Sequence, residues 1–83
     1  SSSIEGLRRR GQSLMALGEL RAALQDLTLV AQLAPRDSES HHQRGLCFYR
    51  LKEYERASHD FEAAVALEPA FREGWDHLGL TLN

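Results

Sequence analysis

Few residues of this chain are of a type and spacing that could carry chemistry. His59 and Asp60 place a base beside a carboxylate. Neighbours on a helix point about 100° apart and do not face one another, so the pair is expected on a solvated flank. His41, His42 and His77 supply imidazoles, and with helices stacked in register His42 and His77 would approach each other. Two ring nitrogens without a third ligand make a weak metal site, so neither a metal nor any other cofactor is expected. Arg8, Arg9 and Arg10 spread around a helix instead of forming a patch, and no aromatic stacking platform accompanies them. A nucleic-acid partner is therefore not expected. There is no glycine-rich phosphate loop, nucleophile elbow, HExxH or zinc-type Cys/His spacing, and the chain is expected to be non-enzymatic.

The elements that would position these side chains are helices. Leu, Ala, Glu, Arg and Gln dominate, while only Ile4, Thr28, Val30, Val65 and Thr81 are β-branched. Ile4, Leu7, Gly11, Leu14 and Leu17 step by three and four, which predicts a first helix that ends at Gly18. Ser2 and Glu5 have the spacing of a capping box at its start. Leu20, Ala23, Leu24, Leu27, Val30, Ala31 and Leu33 make the core stripe of a second, stopped by Pro35. Asp37 or Ser38 would cap a third from about Glu39 to Leu51. Tyr54, Ala57, Phe61, Ala64, Val65 and Leu67 form the stripe of a fourth, and a fifth would run from about Phe71 to Leu82. Short turns make neighbouring helices antiparallel.

A net charge of −2, with both signs interleaved, gives no field for a polyanion. Cys47 is the only cysteine, so no internal disulfide is possible, and a reducing, cytoplasmic setting is favoured. No apolar run approaches the roughly 20 residues needed to span a bilayer, and no membrane partner is expected.

Shifting the chain by 34 residues places Gly11 on Gly45 and then Gly79, Ala23 on Ala57, Leu27 on Phe61, Leu33 on Leu67 and Pro35 on Pro69. Glycine in mid-helix costs about 1 kcal/mol relative to alanine, so a close approach, through Ala23 or Ala57, is expected at Gly11 and Gly45. Arg10 and Arg44 hold a place taken by Leu78 in the third copy, and are expected to lay their stems on the core with the charge in water.

With this period, the chain resembles the tetratricopeptide repeats, whose unit carries the pattern W-x2-L-G-x2-Y, A-x3-F, then P. Gly45, Phe48, Ala57, Phe61, Ala64 and Pro69 fall on it, with His41 at the Trp place and Arg44 at the Leu place; Trp75, Leu78, Gly79 and Leu82 begin it again. The resemblance implies an all-α fold, a right-handed α–α superhelix of about five antiparallel helices. It divides the single domain, 1–83, into repeats at about 4–37 and 38–71 and a partial repeat or capping helix at 72–83. Ending inside a third copy, the chain reads as a piece of a longer protein.

The resemblance also implies a function: a scaffold or adaptor module that binds a peptide segment of a protein partner in the groove lined by the first helix of each unit. Groove positions would be Arg8, Gln12 and Met15; Glu39, His42, Gln43, Leu46, Tyr49 and Arg50; and Glu73, Asp76, His77 and Leu80. Tyr and Arg beside an apolar strip are usual energetic anchors. Co-chaperones of the family clamp chaperone carboxylates. The corresponding places here hold Arg8, Gln12, Gln43, Glu73 and His77, and Glu73 would repel a carboxylate. Two alternatives stand beside the peptide groove: self-association through Trp75, Leu78 and Leu82 if they are left uncovered, and an accessory role in a larger enzyme.

Overall fold

A computed structural model describes residues 2–70, with side chains from Ile4 onward. Four helices fill them: α1 (Ser2–Ala16), α2 (Leu20–Leu33), α3 (Ser38–Arg50) and α4 (Tyr54–Leu67). The expected fifth helix lies outside the described residues. Helix α1 starts two residues before Ile4 and stops at Ala16, so Leu17 falls in the turn, where it is 76% exposed instead of joining the core. Leu33 and Leu67, the last residues of α2 and α4, and Tyr54, the first of α4, are likewise at the surface. At a helix end there is no facing stripe left to cover them.

The packing follows chain order. The α1–α2 and α3–α4 hairpins have the most extensive interfaces, α2 joins the hairpins by packing on α3, and α1 touches α3 lightly. Two clusters make the core. Met15, Ala23, Leu27 and Cys47 form one, and Phe48, Ala57, Phe61 and Ala64 the other. Leu24 and Leu46 pack against both and join them into one apolar layer.

Both hairpins turn in the same way. Gly18 N–H donates to the Met15 carbonyl at 3.0 Å and Glu19 N–H to that of Leu14 at 2.8 Å. One repeat later Lys52 N–H donates to Tyr49 at 3.0 Å and Glu53 N–H to Phe48 at 2.9 Å. These are Schellman closures, which need a left-handed residue after the helix. Gly18 takes that conformation at φ 82°, and Lys52 is forced into it at φ 66°. A residue with a Cβ is disfavoured there by about 1 kcal/mol. Lys52→Gly is therefore expected to stabilise the fold by about 0.5–1 kcal/mol, read as a higher urea midpoint, while Gly18→Ala lowers it by a similar amount.

The close approaches at the helical glycines differ from expectation. A Cβ on Gly45 would lie 2.5 Å and 2.6 Å from two ring carbons of Phe61, and one on Gly11 would lie 3.0 Å from Leu27 Cγ and Cδ2. The space is taken by the large residues at the period, Leu27 and Phe61, and not by Ala23 or Ala57. The α3 cap is also altered. Asp37 holds the N-cap position, but its carboxylate makes no capping bond and accepts from Arg8 instead. Ser40 Oγ donates to the Asp37 carbonyl at 2.9 Å.

Candidate peptide-binding face

The expected groove residues of the first two units lie on α1 and α3. Polar bonds tie these helices together at both ends. Arg8, on the first half of α1, donates to Asp37 at the start of α3 across 2.6 Å, and Arg50, the last residue of α3, donates to the carbonyl of Met15 at 3.1 Å. Start is tied to start and end to end, so α1 and α3 run side by side in the same direction.

The side chains of this face fall into three groups. Gln12, Tyr49 and Arg50 are exposed. Tyr49 is 41% exposed and sets its ring edge-on to that of Tyr54, 56% exposed, with the centroids 5.4 Å apart. Glu39, His42, Gln43 and Leu46 are half-buried. Gln43 donates to the Glu39 carboxylate at 2.9 Å, Leu46 packs on both core clusters, and the His42 ring lies 6.5 Å from that of Phe61. Met15 differs from expectation: it is 6% exposed and belongs to the core with Ala23, Leu27 and Cys47. Helix α3 covers α1 on that side, so Met15 lines no groove. Glu73, Asp76, His77 and Leu80, and Trp75, Leu78 and Leu82 of the expected self-associating end, lie outside the described residues.

Arg8 holds Asp37 and Glu5 at once, the latter at 3.1 Å. Its charge is spent within the fold, which weakens its fitness as a clamp for a free carboxylate. Burial lowers the basicity of His42, against the opposing field of Glu39. A base that is harder to protonate in the folded chain than in the unfolded one makes the unfolded state bind more protons, so stability rises with pH through that window. His42 is then expected to leave the fold fully stable above about pH 6.5 and to destabilise it as pH falls through that value. Urea midpoints at pH 7.5 and 5.5 check this. The acid-side loss is expected to be smaller in His42→Gln than in the parent.

Cys47 Sγ–H donates to the Leu20 carbonyl at 3.0 Å, and burial pushes the thiol up, against the fields of Arg50 and Arg21. It is a packed hydrophobe with a partner, not a nucleophile. Among the described residues no group of three His, Cys, Asp or Glu side chains could hold a metal ion, and no helix is long and apolar enough to cross a membrane.

Two pairs escape a reading made one residue at a time. Arg10 reaches Asp26 with two bonds of 2.7 and 2.9 Å, and Arg44 reaches Asp60 with two of 2.8 Å. Both arginines were expected to point their charge at water, which Arg10 does at 67% exposure, and Asp60 was expected on a solvated flank. Instead the Asp60 side chain is 3% exposed and that of Arg44 21%. The pair with Asp26 raises the already high pKa of Arg10 further, chiefly through the hydrogen bond. A signal was present: Arg10 and Arg44 are one period apart, and so are Asp26 and Asp60.

The tetratricopeptide repeat family model matches residues 38–71, which hold α3, the Lys52 turn, α4 and Pro69. Over 75 residues the chain is 28% identical to small glutamine-rich tetratricopeptide repeat-containing protein 2 of Saccharomyces cerevisiae, an alignment covering 90% of this chain and 22% of that protein. The chain thus spans about a fifth of that relative's length. One helical hairpin, residues 38–71, is thus similar to the tetratricopeptide repeat family, and the other is built on the same helical glycine, arginine–aspartate pair and turn.

Proposed function

We propose that the face formed by α1 and α3 receives a peptide segment of a protein partner, and that the module does no catalysis itself. The observation that carries this is the Tyr49–Tyr54 pair with Arg50 beside it: two exposed aromatic rings set against each other, next to a guanidinium held on the end of α1. Aromatic rings and arginine supply most hot-spot energy, and groups already held in place lose little freedom on binding. Gln12, Gln43 and Glu39 surround them with hydrogen-bonding groups suited to a peptide backbone.

The test is a peptide-display selection on the chain followed by affinity measurements on Tyr49→Ala and Arg50→Ala. Tyr49→Ala is expected to weaken a selected peptide about tenfold or more. Tyr49 is the cleaner probe, because Arg50 also supports α1. If the folded Tyr49→Ala variant binds every selected peptide as tightly as the parent, the assignment of this face is wrong.

A further inference from the structure

A second cleft lies away from the α1–α3 face. Helices α2 and α4 make no extensive contact with each other. Between them opens a cleft of about 350 Å³, floored by α3. Leu24 and Thr28 form the α2 wall, Arg56 and His59 the α4 wall, and Phe48 lies at the bottom with the Arg44–Asp60 pair. That volume is near the lower end for ligand pockets and suits one or two side chains.

The charges in the cleft do not cancel. Asp60 is its only carboxylate among the described residues, and both of its oxygens accept from Arg44. Arg56 is then left as an excess positive group. Its contact with Glu53 is 3.5 Å long and its side chain is 69% exposed, an arrangement that water and salt weaken and that a ligand can displace. Glu55 and Glu62, the other nearby acids of α4, do not line the cleft. His59 adds a ring nitrogen on the same wall as Arg56. The guanidinium groups of Arg44 and Arg56 both lie over the Phe48 ring, each 5.9 Å from its centroid, so positive charge sits directly against an apolar floor.

We infer that this cleft is a second docking site, for a peptide segment of a partner in which an aspartate or glutamate adjoins a large apolar residue. The carboxylate meets Arg56 and His59, and the apolar side chain lies on Leu24 and Phe48. The complementarity is twofold: an excess cation for the acid, and a shallow apolar floor for its neighbour. This site is independent of the α1–α3 face, so the chain could hold two segments at once.

The experiment pans a display library of random twelve-residue peptides against the whole 83-residue chain. Selected peptides are sorted by their binding to three folded variants: Arg56→Glu, His59→Glu and Tyr49→Ala. A class enriched in acidic residues beside leucine or phenylalanine is expected, losing tenfold or more in affinity to Arg56→Glu, less to His59→Glu, and nothing to Tyr49→Ala. Its binding should also fall as salt rises from 50 to 300 mM, about as screening requires. Replacing the acids of such a peptide by their amides is expected to abolish binding. The inference is overturned if no acidic class is selected, if that class binds Arg56→Glu as tightly as the parent, or if its amide counterparts bind equally well. A class lost only in Tyr49→Ala reports on the α1–α3 face, so the two proposals fail separately.

Discussion

Asp60→Ala is expected to cost the fold about 3 kcal/mol, because it leaves the half-buried Arg44 guanidinium without the carboxylate that takes both of its hydrogen bonds. Removing one member of a buried ion pair typically costs about 3–5 kcal/mol; the 21% exposure of Arg44 argues for the lower end. A small domain has only about 5–15 kcal/mol in total, so the thermal midpoint should fall by more than about 12 °C. The check is a double-mutant cycle. Arg44→Leu installs the residue that stands one period later at Leu78, and with Asp60→Ala it leaves no unpaired charge. The double variant is expected to regain about 2 kcal/mol, since apolar replacement of a whole buried pair is often neutral. If the two losses simply add, the pairing is not what supports the site. Asp26→Ala should cost less, because its partner Arg10 is 67% exposed and water can take over the hydrogen bonds.

Gly45→Ala is expected to destabilise by about 2 kcal/mol although alanine is the better helix former. The new methyl would stand 2.5 Å from the edge of Phe61, whose ring is 2% exposed and packed among Phe48, Ala57 and Ala64. Overpacking of that kind costs about 1–3 kcal/mol and here outweighs the propensity gain of about 1 kcal/mol. Gly11→Ala is the internal control. Its neighbour is the branched end of Leu27 at 3.0 Å, which can shift by a few tenths of an ångström, so the net change should be near zero. Combining Gly45→Ala with Phe61→Leu, the side chain found at the equivalent place one repeat earlier, should recover part of the loss. Equal urea midpoints for the two alanine variants would sink the argument.

The helices and most of the core were legible in the sequence because local periodicity and a fixed 34-residue shift report the same positions. Ala23, Leu27, Val30, Phe48, Ala57, Phe61 and Ala64 are all buried. Met15 was not legible, since a helical wheel sees only the partner within a hairpin. Its cover comes from Cys47, on the next one. The arginine–aspartate pairs were missed because each joins residues 16 apart, beyond the range of any helical-spacing rule. At the candidate site, Gln12, Tyr49 and Arg50 are exposed as the repeat register implies, whereas Arg8 is half-buried and engaged by two acids. Partners of that sort depend on which helix ends meet, and one residue's position in the repeat does not state that.

Two of the bonds that fasten the second hairpin to the first, from Cys47 to the Leu20 carbonyl and from Arg50 to the Met15 carbonyl, end on main-chain oxygens, whereas the one from Arg8 to Asp37 joins side chains. No side-chain substitution at position 15 or 20 can delete those acceptors. For these two bonds only the path of the upstream backbone through its turn has to be right. This part of the joint is therefore blind to side-chain identity at positions 15 and 20, and residues 38–71 should graft onto a foreign upstream hairpin that ends in the same Schellman closure and offers a comparable apolar face to Leu46 and Cys47, keeping both bonds. Interchangeability of units is in that sense a property of where two donors on α3 point.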